Sequence, residues 1–180
     1  MQKHIFILGL FLLLSGIYLI VQKQSQQSLI PPVSTGTIGV LGEQTRTSGC
    51  EARGPLPDSA CSPGAIFPDA TKEQICVSGY SSSVRNVPQS EKDTVYQEYG
   101  ITHHTKGEYE VDHLISLELG GSNDIANLWP EAASPTPGFH EKDMVENYLH
   151  DLVCSGKIPL SQAQEIIRTN WLQVYQHMLK

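Results

Sequence analysis

Basic residues are scarce in this chain. Its 180 residues include 12 Lys and Arg against 19 Asp and Glu, which gives a formal net charge of −7 at pH 7. From residue 49 onward the imbalance grows to 9 Lys and Arg against 18 Asp and Glu, a formal charge of −9. Proteins that bind nucleic acid through a broad basic surface use Lys and Arg to displace counterions from phosphates. The composition excludes such a surface, so contact with a polyanion would need a local basic patch, a metal ion or both.

Cys-x-x-Cys pairs, which are typical of zinc knuckles, are also missing. The cysteines are Cys50, Cys61, Cys76 and Cys154. An even number of cysteines in an exported chain predicts two disulfides, for which three connectivities are possible, and four buried free thiols are the alternative. Because Cys154 is distant from the other three, we expect at least one bridge between the C-terminal and N-terminal parts of the domain.

Long apolar runs are absent except at residues 5–21, which Lys3 and Lys23 flank. This run is close to the minimum of roughly 17 residues that span a bilayer, and no Ala-x-Ala-like cleavage site follows it. We interpret residues 1–22 as a membrane anchor in preference to a cleaved signal segment, and residues 23–48 as a flexible linker. Residues 49–180 are then expected on the periplasmic or extracellular side of the cell membrane, or secreted.

Patterning within residues 49–180 predicts an α+β domain. Residues 50–76 are rich in Pro, Gly, Ser and Asp, which predicts irregular loops pinned by cysteines. Apolar residues at helical spacing predict a helix over 90–99 and two C-terminal helices, over 141–154 and from 161 onward. The alternation of Tyr109 and Val111 predicts a short strand between the loops and these helices.

Acid, imidazole and amide side chains follow this strand at particular intervals. The pattern is Asp112-His113, Gly120-Gly121, Asn127-Leu128 and then His140. It resembles the His-Asn-His (HNH) endonuclease motif of the ββα-metal fold and, more narrowly, a group of exported bacterial HNH-like proteins. The resemblance is strong over residues 109–150 and weak over residues 76–171. It implies a small ββα-metal core, with the disulfide-pinned loops before it and the two C-terminal helices behind it.

The resemblance also implies metal-dependent hydrolysis of nucleic acid, DNA being favoured, with one divalent cation, Mg²⁺ or Mn²⁺ in preference to Zn²⁺, and no organic cofactor. A neutral imidazole with an ordinary pKa of about 6.5 suits His113 as the base that deprotonates water. Asp112, on the other side of the strand, offers a hard oxygen ligand to the cation. Asn127 is expected to accept the ring N–H of His113, and His140 to be the second metal ligand. The alternative second ligands are Asp143, Glu146, Asn147 and His150.

Arg85 is the predicted phosphate contact, and a surface ion pair is the alternative for it. Two other functions stay open. One is a non-catalytic exported binding module that keeps the HNH scaffold, which the acidic charge favours. The other is a structural zinc site, which four protein ligands would close. Convergence of Arg85, Lys106 and Lys142 beside Asp112 and His113 would favour the nuclease, and their scatter would favour the binding module.

Overall fold

A computed structural model describes residues 41–180 of the chain. Its helices are α1 (Lys72–Ile75), α2 (Tyr80–Val84), α3 (Gln89–Glu98), α4 (Phe139–Cys154) and α5 (Leu160–Met178). Its strands are β1 (Tyr109–His113) and β2 (Leu128–Ala132), and 3₁₀ turns lie at Leu117–Leu119 and Ile125–Asn127. This mixture of helices and a small sheet confirms the predicted α+β class.

The predicted membrane anchor at residues 1–22 lies outside the described residues, as does most of the predicted linker at 23–48. Among the helices within residues 41–180, none is both long enough and apolar enough to cross a bilayer.

Strands β1 and β2 form an antiparallel hairpin in which Asp112 lies opposite Trp129 and His113 lies opposite Leu128. Because side chains alternate along a strand, Val111 and His113 share one face of the hairpin and Asp112 lies on the other. On the His113 face, Val111 and Leu128 pack against Val95 of α3. The hairpin therefore separates the two residues of the Asp-His pair between two different environments.

Helices α4 and α5 pack against each other as the predicted C-terminal pair. Val145 and Leu149 of α4 are fully buried, as are Ile166 and Trp171 of α5. Burial of apolar side chains at helical spacing is what holds such a pair together, at roughly 1.5–3 kcal/mol for each large side chain. The start of α4 is fixed by Gly138, whose backbone N–H donates to Glu141 at 2.8 Å.

Two disulfides tie the loops to this core. Cys50 pairs with Cys61, and Cys76 pairs with Cys154 at the end of α4. The expectation that one bridge connects the C-terminal part to the N-terminal part is confirmed, because Cys76 directly follows α1. The loop-rich segment before the hairpin is thus pinned covalently at both of its ends.

Candidate functional site

The turn between β1 and β2 is organised by Asn127, whose side chain is completely buried. Its Oδ1 accepts hydrogen bonds from the backbone N–H of Ile115 at 2.9 Å and of Ala65 at 3.3 Å. Its Nδ2 donates to the carbonyls of Ile115 and Ser122, both at 2.9 Å. The prediction that Asn127 accepts the ring N–H of His113 is wrong, because backbone groups of the turn already satisfy its amide.

Gly121 belongs to the same turn and has no room for a side chain. A Cβ at this position would lie 1.7 Å from the carbonyl oxygen of Ile115. The backbone N–H of Gly121 donates to the Ser116 carbonyl at 2.9 Å. The Gly-Gly and Asn elements of the motif therefore build the turn that carries β1 into β2, and the Asn127 side chain forms no hydrogen bond with His113.

Asn123 is the residue that orients His113. Its Oδ1 lies 3.2 Å from Nε2 of His113, while its Nδ2 donates to the Val84 carbonyl at 2.8 Å. Because the second bond makes Oδ1 an acceptor, Nε2 of His113 must carry the proton in the neutral ring. Nδ1 then holds the lone pair, and it forms no hydrogen bond within residues 41–180.

His113 is buried, with 2% of its surface exposed. Burial lowers its pKa to about 4, against the opposing effect of the Asp112 carboxylate. The ring is therefore neutral near pH 7, and Nδ1 can accept a proton there.

A cleft of about 310 Å³ lies over the His113 face of the hairpin. Its lining includes Arg85, Lys92, Tyr96, Tyr109, Glu110 and His113. Arg85 is exposed and forms no salt bridge with any other described residue, so its guanidinium is available to a ligand. The predicted phosphate contact thus lies in the same cleft as the predicted base.

Asp112 faces the opposite side of the hairpin and is bound by a lysine. Nζ of Lys142, on α4, donates to Oδ2 of Asp112 at 2.6 Å and to the His113 carbonyl at 2.9 Å. It also forms an ion pair with Glu146 one turn along the helix. Although burial alone would lower the pKa of Lys142, the carboxylates of Asp112 and Glu146 raise it, so the ammonium keeps its charge. In turn, Lys142 outweighs the effect of burial and lowers the pKa of Asp112.

Two acids beside the Lys142 ammonium, Glu131 and Glu146, have raised pKa values. Burial, with the charge of Asp112, raises the pKa of Glu131 to about 10. Burial likewise raises the pKa of Glu146 above its ordinary value, although the ion pair with Lys142 opposes the shift and favours the carboxylate. Glu131 is completely buried and neither of its oxygens forms a hydrogen bond of normal geometry within residues 41–180. At neutral pH the Glu131 carboxyl is therefore protonated, and Asp112 and Lys142 carry the principal charges.

The predicted metal pair of Asp112 and His140 does not fit this arrangement. His140 lies in the first turn of α4 as expected, but it is exposed and stacks on Phe139 with ring centroids 4.2 Å apart. Lys142, not His140, is the α4 residue that contacts Asp112. Of the alternative ligands, only Glu146 converges with Asp112, and it does so around the Lys142 ammonium.

The remaining alternative ligands lie elsewhere. Asp143 and Asn147 are exposed on α4. His150 belongs to the one group within residues 41–180 in which three or more His, Cys, Asp or Glu ligand atoms converge, together with Cys76 and Cys154. Both sulfurs of that group are joined in the disulfide and offer no thiolate to a metal.

The sequence did not point to Asn123 or Lys92, and it indicated Lys142 only as one of three cations whose convergence beside Asp112 and His113 would favour a nuclease. Asn123 follows Gly-Gly-Ser in the turn after His113, where an amide can fold back on the strand. Lys142 precedes Glu146 by four residues, a spacing that favours an ion pair on a helix. The burial of that pair has no signal in the sequence.

Comparison of the chain with family models, with curated proteins and with solved structures found no match. The HNH resemblance therefore rests on the motif residues themselves.

Proposed function

We propose that the domain binds nucleic acid in the cleft over β1 and hydrolyses its phosphodiester bonds, DNA being the favoured substrate. The observation that carries this proposal is the position of His113. Its neutral ring, fixed through Nε2 by Asn123, lines the same cleft as Arg85 and Lys92. A base beside two cationic side chains suits a reaction in which water attacks a phosphate ester.

In the proposed step, Nδ1 of His113 accepts a proton from water and the water oxygen attacks phosphorus. One P–O ester bond then breaks, and the leaving oxygen takes a proton from solvent water and departs as a hydroxyl group. Arg85 and Lys92 neutralise charge that develops on the phosphate oxygens. Tyr96 and Tyr109, which also line the cleft, offer aromatic faces on which bases stack. Arg85 and Lys92 therefore form a local basic patch in a chain whose overall charge is negative.

The resemblance implies one divalent cation, and Asp112 would have been its ligand. Since Lys142 binds that carboxylate, no part of the proposed step uses a metal there. Mg²⁺, Mn²⁺ and Zn²⁺ therefore belong in the assay as variables.

The proposal includes export, with the domain held at the cell membrane by residues 1–22 or secreted. Two disulfides among the four cysteines support an oxidising compartment outside the cytoplasm.

Cleavage of labelled single-stranded and double-stranded DNA and of RNA by the full chain tests the function, in EDTA and with each cation. His113→Ala should reduce the cleavage rate by about 100-fold or more, the usual contribution of a general base, with little change in affinity. Arg85→Ala should weaken binding by about 3- to 10-fold, as expected for one phosphate contact. Lys106→Ala is the matched control, because Lys106 is exposed and is not part of the cleft lining.

Cleavage by His113→Ala at the parental rate would remove His113 from the chemistry. Absence of both binding and cleavage under every condition would end the nucleic-acid assignment.

A second candidate is the non-catalytic exported binding module. The ion pair between Lys142 and Asp112 favours the binding module, because Lys142 occupies the carboxylate that the HNH resemblance assigns to a metal cation. Glu110 at the cleft lining adds a negative charge that opposes a polyanion. Binding of nucleic acid without cleavage, or of neither DNA nor RNA, would select this candidate.

A further inference from the structure

Three oxygen atoms from two elements of the fold converge on the Lys142 ammonium. They are Oδ2 of Asp112 at 2.6 Å, the carbonyl oxygen of His113 at 2.9 Å, and Oε1 of Glu146. The lysine side chain is 1% exposed, so water does not compete for these contacts. All three N–H donors of the ammonium have a partner.

This set of oxygens is of the kind that a hard divalent cation prefers. Mg²⁺, Mn²⁺ and Ca²⁺ bind carboxylate and carbonyl oxygens in proteins. The distances to Asp112 and His113 suit N–H donors and exceed the roughly 2.0–2.1 Å of Mg²⁺–oxygen bonds. The site therefore has the ligand chemistry of a metal centre and the dimensions of an ammonium site.

The surroundings supply more acid than one lysine requires. Glu131 is completely buried beside this group and has no hydrogen-bonding partner of normal geometry among the described residues. Asp112 and Glu146 thus place two carboxyl groups on one ammonium, and the Glu131 carboxyl lies close enough to interact with its charge. A single charge of +1 leaves this group able to accommodate a divalent ion if the lysine were removed.

We propose that the Lys142 ammonium takes the place of a divalent cation in this protein. The ammonium occupies the oxygen site formed by Asp112, Glu146 and the His113 carbonyl, so the contact between β1 and α4 does not depend on a metal ion. The lysine binds the Asp112 side chain and the His113 carbonyl together, so it fixes the end of the strand that carries His113. This role of the Lys142 ammonium is structural, and it does not depend on whether the cleft cleaves nucleic acid.

Thermal unfolding of the full chain gives the first test. Its midpoint in EDTA should differ by less than about 2 °C from its midpoint in 10 mM Mn²⁺, because ligands stabilise only a protein that they bind. Mn²⁺ titration followed by electron paramagnetic resonance should show no site that Asp112→Asn abolishes.

Lys142→Ala gives the second test, because it removes the ammonium and leaves its oxygens in place. In EDTA its midpoint should fall by about 10–15 °C, since uncompensated buried charge strongly destabilises a fold. Mn²⁺ at 10 mM should restore about 5–10 °C of that loss, which corresponds to a dissociation constant near 0.1 mM. The same titration should show one new Mn²⁺ site.

Two matched variants separate this site from general binding of Mn²⁺ to an acidic protein. Lys142→Met removes the charge but fills the space, so Mn²⁺ should not restore its midpoint. Lys142→Ala combined with Glu146→Gln keeps the space but removes one ligand, and its recovery should be abolished.

A Mn²⁺ site in the parental chain that Asp112→Asn abolishes would overturn the proposal, because Lys142 would then leave room for the metal. So would a Lys142→Ala variant that Mn²⁺ does not stabilise, or one that does not fold even with Mn²⁺, since a site suited to a divalent cation would accept one.

Discussion

Acidification should destabilise this protein through His113. The folded-state pKa of about 4 lies below the ordinary histidine value of 6.5 because the ring is buried. Between these two values the unfolded chain binds a proton that the folded protein does not, so stability falls as the pH falls through this window. Applied at pH 5, the two values give a loss of about 2 kcal/mol relative to pH 7 from this one side chain.

Urea unfolding at pH 7 and pH 5 measures this loss. The fluorescence of Trp129 and Trp171 is a suitable probe, because both are fully buried in the folded protein. His113→Gln is the comparison variant, since its amide can still donate to Asn123 but does not titrate. Other groups, such as Asp112, contribute to the pH dependence of both proteins, so the difference between the two pH dependences isolates His113. The parental chain should lose about 2 kcal/mol more than the variant.

Equal pH dependence in the two proteins, within about 0.5 kcal/mol, would refute the reasoning, since that is the usual error of additive comparisons. It would mean that the pKa of His113 in the folded protein lies close to its ordinary value, and that burial does not lower it as argued.

Two further predictions concern the framework around the site. Asn127→Asp should lower the free energy of unfolding by about 3 kcal/mol. The reason is that a carboxylate cannot donate hydrogen bonds to the two carbonyls that the Asn127 amide now contacts. A loss below about 1 kcal/mol in a urea titration would contradict this prediction. Replacing Cys76 and Cys154 together by Ser should cost about 4 kcal/mol, against about 3 kcal/mol for replacing Cys50 and Cys61, because the bridged residues are 78 and 11 positions apart. Thermal melting of the two double variants checks the order, and the reverse order would contradict the loop-entropy argument.

The helices could be predicted because each carries its own periodicity and stop signals. The predicted helix over 90–99 matches α3 (Gln89–Glu98), and that over 141–154 matches most of α4 (Phe139–Cys154). Helix α2 (Tyr80–Val84), by contrast, lies in a Ser-rich stretch that shows no helical periodicity of apolar residues. The helix starts after Gly79, whose φ is +84°, and the Ser83 hydroxyl donates a hydrogen bond to the Tyr80 carbonyl. A serine-rich composition does not predict either feature.

The site was predictable only in its residue types. The alternation along β1 places Asp112 and His113 on opposite faces, as the sequence suggests. Which asparagine side chain reaches His113 depends on how the turn folds. Asn127 forms hydrogen bonds with the backbone, and Asn123 forms one with the His113 ring. No local sequence pattern distinguishes the two asparagines. The contact between Asp112 and Lys142 joins residues 30 positions apart. Such a contact follows from the packing of α4 on the hairpin, which periodicity does not specify.

The disulfide between Cys76 and Cys154 also affects what happens when a protease cleaves the chain. Arg85, His113 and Lys142 all lie between its two cysteines, so the covalent ring that it closes contains the cleft and the ion pair behind it. A protease that cuts the chain once within this ring opens it without releasing a fragment. A domain with this architecture can therefore be nicked at an exposed loop, such as the one around Pro135, and still keep every part of the site on one covalently connected molecule.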